Sequence, residues 1–151
     1  MVHLMEDEVF MAFSTYSLIV ILKLMIMAPI TAHYRFSRGA FANEEDVGHR
    51  PTEEKKKMLR THPNVERVRR CHLNDLENVI PFVLVGFFYA LSGPELSAAL
   101  LHFRLFAGSR ICHTIVYLAA VRQPCRFLAF LVGVAVTLSM TYNVLSKVLV
   151  L

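Results

Sequence analysis

Residues 63–91 read PNVERVRRCHLNDLENVIPFVLVGFFYAL, and the fold turns on how this stretch divides. Its first half, up to Asn78, is charged. Its second half, Val79 to Leu91, is only 13 residues of apolar sequence. A ~30 Å hydrocarbon core needs about 20 residues of helix, so neither half crosses alone. Together they do, provided the charged half packs against other helices rather than lipid. His62-Pro63 offers a helix start, with Pro63 in the first turn and Glu66 just inside it. Pro81 should bend the helix. The stretch therefore reads as one membrane-crossing helix, 63–91, with an inward-facing polar side.

The flanking sequence supplies three more such helices. About 9–34 (Val9 to Tyr34) is apolar apart from Lys23, and Pro29 near its end is tolerable in a membrane helix. Glu6, Asp7 and Glu8 precede it, whereas a secretory signal starts with basic residues, so an uncleaved span is expected. Ser92-Gly93-Pro94-Glu95 is a turn, and 95–121 follows as a helix interrupted by His102, Arg104, Arg110 and His113. The last helix, 126–146, carries no charge between Arg126 and Lys147. Residues 35–62 read as a cytosolic loop. The expectation is an all-α integral membrane protein, one domain over 1–151, built as a four-transmembrane-helix bundle.

Charge sets the orientation. Arg35 to Asn78 holds ten of the sixteen Lys and Arg and eight of the twelve acids. Two spans separate this segment from the basic turn Arg122 to Arg126, so both lie on one side, and the positive-inside rule makes that side cytosolic.

The composition agrees. The 151 residues are 55% hydrophobic and 19% charged, with mean hydropathy +0.46. That excludes intrinsic disorder, a fibrous repeat and a nucleic-acid module. The net charge of +4 follows membrane topology rather than a nucleic-acid partner. Cys71, Cys112 and Cys125 have no CxxC spacing, which excludes a disulfide framework and a zinc finger.

Helical spacing groups the polar residues. Arg70, Asn74 and Glu77 fall within about 60° on the second helix, with Arg67 close by, and Arg110, His113, Thr114 and Tyr117 within about 100° on the third. Arg126, at the cytosolic start of the fourth helix, closes that cluster. Between Arg70 and Arg126 there are five arginines against three carboxylates, Asp75, Glu77 and Glu95. The unmatched cations fit a neighbouring subunit or an anionic ligand with carboxylates. Structural ion pairs and a proton path are the competing readings. His72, His102 and His113 lack a third metal ligand at suitable spacing, so no metal is expected. Lys55-Lys56-Lys57 is a solvated run near lipid headgroups.

The segment Val65-Glu66-Arg67-Val68-Arg69-Arg70-Cys71-His72-Leu73-Asn74-Asp75-Leu76-Glu77-Asn78 resembles the signature of the membrane-associated proteins in eicosanoid and glutathione metabolism, the MAPEG family. Phe41 to Asp46 looks like that family's FANPED stretch, and His102 to Phe106 and Arg110 to Leu118 also match. The resemblance covers essentially the whole chain. It implies a homotrimer in the endoplasmic reticulum membrane or the mitochondrial outer membrane, multi-pass, with the active site facing the cytosol. It implies glutathione as co-substrate, bound between subunits. Arg35, Arg69, Arg70, His72, Asn74, Glu77, His113 and Tyr117 match the family's glutathione-contacting positions, and Arg126 matches the arginine assigned to the thiol. Arg110 and Asp46 match positions expected to support the site.

The expected activity is conjugation of the glutathione thiolate to hydrophobic electrophiles, with reduction of lipid hydroperoxides. A free thiol with pKa near 8.5 is only about 3% thiolate at pH 7, and Arg126 is the group expected to raise that fraction. The family's prostaglandin E synthase-type isomerases carry a serine after the thiol-site arginine. Phe127 stands there in this chain, which disfavours that alternative. A non-catalytic lipid-binding scaffold, the other alternative, has no need of Arg70, Asn74, Glu77, Tyr117 and Arg126 together. Val47 replaces the cysteine that often follows the FANPED aspartate in the family's transferases, so activation through that thiol is not expected.

Overall fold

A computed structural model describes residues 4–149 of the 1–151 span expected as one domain; residues 1–3 and 150–151 lie outside the described residues. Among the described residues the named elements are all helical. The helices are α1 (Glu8–Arg38), α2 (Thr52–Met58), α3 (Pro63–Leu91), α4 (Leu96–Leu118) and α5 (Cys125–Val148), with 3-10 turns at Leu4–Glu6 and Glu44–Val47. α1 packs along α3 and α4, and α5 packs along α4 and α3. Two of them, α1 and α5, are long and apolar enough to cross a membrane.

Local chemistry sets the helix ends. Asp7 caps α1, its carboxylate accepting the Phe10 N–H at 2.7 Å. His62 caps α3, its Nδ1 accepting the Asn64 N–H at 3.2 Å with Pro63 in the first turn. Several expected boundaries shift: α1 and α4 start one residue from the expected 9 and 95, and α5 runs Cys125–Val148 rather than 126–146. α1 continues past Tyr34 to Arg38, because Gly39, left-handed at φ 52°, ends the helix rather than the onset of charge. α4 stops at Leu118, three residues before Val121: Ala120 turns left-handed at φ 58° and the Val121 N–H returns to the Val116 carbonyl at 3.0 Å. The segment 35–62 is not all loop. TEEKKKM forms α2, with Glu53 and Glu54 in its first turn and Lys55–Lys57 in its last, each matched to the helix dipole. Phe41 donates its N–H to the Met58 carbonyl at 2.8 Å, tying the two ends of this connection together.

The core is aromatic. Phe82 and Phe106 stack at 3.7 Å between ring centres, and Phe103 meets Phe13, Phe82 and Tyr89 at 5.8–6.3 Å. Outward-facing positions are apolar too. Leu18, Leu22, Met25 and Ile26 on α1, and Leu128, Leu131, Leu138 and Leu145 on α5, are all exposed. Such a surface fits lipid rather than water. α1 approaches α3 closely at Gly86, where an added Cβ would sit 2.7 Å from Phe13 Cε2. Phe13 is buried among Phe10, Phe87 and Phe103 and has little room to yield. Gly86→Ala should therefore destabilise the fold by about 1–3 kcal/mol, seen as a lower thermal midpoint in detergent. An unchanged midpoint would mean that this contact is not tight.

Candidate functional site

A buried ionic knot joins three helices. Asp75 on α3 is wholly inaccessible and binds the Lys23 ammonium from α1 and Arg110 Nη2 from α4, the latter at 2.7 Å. Arg110 is equally inaccessible. The same Nη2 donates to Asn74 Oδ1 at 2.7 Å and lies 3.2 Å from His113 Nδ1. Two cations thus share one carboxylate, and Arg110 contacts two further polar side chains, Asn74 and His113.

Those two side chains open into a cavity. Asn74, His113, Tyr117, Gln123, Arg126, Phe127 and Phe130 line an open cavity of about 270 Å³ at one end of α3, α4 and α5. The Arg126 guanidinium lies over the Tyr117 ring, 4.8 Å from its centre, and the His113 ring is 5.4 Å from the same ring. The stack aims the guanidinium. Arg126 and the amide and imidazole opposite suit a polar or anionic group, while Phe127 and Phe130 supply an apolar wall.

A second cavity of about 490 Å³ lies between α1, α3 and the 3-10 turn at Glu44–Val47. Its lining includes Thr31, Arg35, Phe41, Asp46, Arg69 and His72. Arg69 also donates to Glu66 Oε1 at 2.9 Å. The two cavities share no lining residue.

The residues singled out from sequence thus fall into four places. Asn74, His113, Tyr117 and Arg126 meet in the smaller cavity. Arg35, Asp46, Arg69 and His72 meet in the larger one. Arg70 and Glu77 are exposed on α3 and line neither. Arg110 lies beneath the smaller cavity and braces it. Sequence reasoning left out Asp75 and Lys23 as site residues. The signal for Lys23 was present: a lone lysine in an apolar span needs a carboxylate at its own depth. Asp75, one residue and 100° beyond Asn74, falls off the polar stripe and onto the core side. The free cysteines divide likewise, with Cys71 buried and Cys112 and Cys125 exposed.

The MAPEG family model matches residues 13–146. The chain is similar to microsomal glutathione S-transferase 1 of Homo sapiens, at 57% identity over 148 residues, covering 97% of this chain and 96% of that protein. It is equally similar, 57% over 145 residues, to the Sus scrofa protein of the same name, with 95% and 94% covered. Prostaglandin E synthase of Bos taurus is 38% identical over 127 residues, covering 84% of this chain and 81% of that protein.

Proposed function

This chain belongs to the MAPEG family, and from that premise we propose that it is a membrane-bound glutathione transferase that also reduces lipid hydroperoxides with glutathione. The observation that carries the reading is the cavity in which Arg126, aimed by Tyr117, faces Asn74 and His113 beside an apolar wall. Arg126 holds the glutathione sulfur as thiolate, and Asn74, His113 and Tyr117 seat the peptide around it. Hydrophobic electrophiles reach the sulfur from the bilayer past Phe127 and Phe130. In conjugation the thiolate attacks an electrophilic carbon and the leaving group departs as an anion. In peroxide reduction it attacks the terminal peroxide oxygen and breaks the O–O bond, taking the hydroxyl as glutathione sulfenic acid while the departing alkoxide gains a proton from water and leaves as the alcohol. A second glutathione converts that acid to the disulfide and water.

The active assembly is a homotrimer with glutathione bound between subunits. Supporting this, the two cavities share no residue, and glutathione carries two carboxylates and a thiol: Arg35 and Arg69 of the larger cavity match the carboxylates, while Arg126, assigned to the thiol, lines the other. Arg35, Arg69 and His72 of one subunit then complete the site begun by Arg126 of the next, with Arg70 and Glu77 facing the join and Asp46 and Arg110 in support. All four long helices cross the membrane, that of the endoplasmic reticulum or the mitochondrial outer membrane, and the site faces the cytosol. The isomerase alternative draws on the prostaglandin E synthase likeness, but Phe127 offers no hydroxyl beside Arg126.

The test is a glutathione titration of the detergent-solubilised protein at pH 7, read near 240 nm where thiolate absorbs, followed by 1-chloro-2,4-dinitrobenzene. A thiolate signal that converts to conjugate supports the reading. No thiolate and no conjugate from folded, assembled protein overturns it. The shared site has its own test. Arg126→Ala and Arg35→Ala/Arg69→Ala chains, each impaired alone, should recover about a quarter of wild-type activity when co-expressed one to one, since random assembly joins two intact halves at that frequency. No recovery in co-purified hybrids would place the whole site within one chain.

A further inference from the structure

We propose that Lys23 tunes the thiol site from within the bundle, acting through Asp75 and Arg110 as a charged positioning residue; the inference rests on the glutathione transferase reading. Arg110 alone would balance Asp75, and a buried one-to-one pair is neutral. Lys23 makes the knot two cations to one carboxylate, leaving one unit of positive charge inside a membrane helix bundle. Such a charge is costly unless an anion offsets it. Stability therefore does not explain the lysine. An anion beyond Asn74 and His113 does, because Arg110 touches both and both line the cavity that holds Arg126.

Across the subunit join Arg35, Arg69, Arg70, His72, Asp46 and Glu77 add charges that Lys23→Met leaves unchanged; within one chain the groups around the cavity leave few other sources. α1 contributes Lys23. α3 contributes Asp75 and the Cys71 thiol, whose Sγ lies 3.9 Å from Thr114 Oγ1. α4 contributes Arg110, His113 and Tyr117, and α5 contributes Arg126. Asp75 is the sole carboxylate among these, and it is already shared. The excess positive charge thus adds to Arg126 in favouring thiolate over thiol, while Asp75 keeps Arg110 in the position that orients Asn74 and His113.

A unit charge at ~10 Å through an effective dielectric of about 20 shifts a titration by roughly one pKa unit. The experiment compares wild type, Lys23→Met and Lys23→Arg as full-length assembled protein with bound glutathione, reading thiolate absorbance and conjugation rate against pH. Lys23→Met leaves the Arg110–Asp75 pair neutral and intact, so it should fold. Should it fail to assemble, Lys23→Gln, which keeps a donor towards Asp75, takes its place. We expect the bound thiol to titrate about one unit higher in Lys23→Met, with roughly fivefold less thiolate at pH 6.5 and convergence with wild type above pH 8.5. Lys23→Arg should titrate as wild type. A purely structural lysine would move the thermal midpoint and leave the thiol titration alone; that result overturns the inference while the transferase stands. Absence of any thiolate in the wild-type protein overturns both.

Discussion

Asp75→Ala is expected to cost about 3–5 kcal/mol, the usual penalty for removing one partner of a buried ion pair. The side chains of Asp75 and Arg110 are both wholly inaccessible, and Lys23 is only 15% exposed, so water cannot replace the lost carboxylate. The variant leaves two cations facing each other between α1 and α4 with nothing to hold them. A loss of that size is a large share of the ~5–15 kcal/mol typical of a folded domain. The measurement is the thermal midpoint in detergent, with monodispersity by gel filtration. Asp75→Asn should fall between alanine and wild type, since its amide oxygen still accepts from Arg110 Nη2. An alanine variant within about 0.5 kcal/mol of wild type would mean that the three charges do not hold the helices together.

This knot also marks how far the sequence can be read. Helical spacing grouped Arg70, Asn74 and Glu77 on one stripe and Arg110, His113, Thr114 and Tyr117 on another, with Arg126 closing the cluster; of these, Asn74, His113, Tyr117 and Arg126 line one cavity, and Arg70 and Glu77 are exposed outside it. It left out Asp75 because a residue between a stripe and the core shows no periodic signal, and Lys23 because its partner lies 52 residues away in the chain. The grouping of Arg35, Asp46, Arg69 and His72 had no spacing argument at all. These residues sit on α1, a 3-10 turn and α3, and only the family resemblance singled them out. The fold divides the same way. The cap at His62-Pro63 was legible from residue types. The seven-residue α2 was not, since it has no apolar face to repeat, and the end of α4 was not, since alanine is an unusual residue for a left-handed stop.

The second large effect is at Arg126. If Arg126 lowers the thiol pKa by about 2 units to ~6.5, from the ~8.5 at which Lys23 and desolvation of the site offset each other, bound glutathione is about three-quarters thiolate at pH 7 and about 3% without Arg126. Arg126→Ala should therefore reduce the thiolate absorbance about 25-fold at pH 7. The rate should fall less than the absorbance. A thiolate of higher pKa is the better nucleophile, with a Brønsted slope of ~0.4–0.5, which returns about 6–10-fold. Ionisation alone thus accounts for a loss of roughly threefold, and any loss beyond that measures how far Arg126 also positions the sulfur over the electrophile. The pH profile separates the two contributions. The wild type's advantage in thiolate is full, about 100-fold, below pH 6.5, and it disappears as pH rises through 8.5, where the variant's thiol ionises without Arg126. Between pH 6 and 8 the variant's rate should climb about tenfold per unit while the wild type levels off; above pH 9 both thiols are ionised, and the positioning share is the wild type's remaining advantage multiplied by the ~6–10-fold nucleophilicity gain of the variant's thiolate. Arg126→Lys keeps the charge but loses the planar fork that stacks on Tyr117, so it should retain more of the ionisation effect than of the positioning effect. A variant whose rate runs parallel to wild type at every pH would remove Arg126 from thiol ionisation and leave it a binding role only.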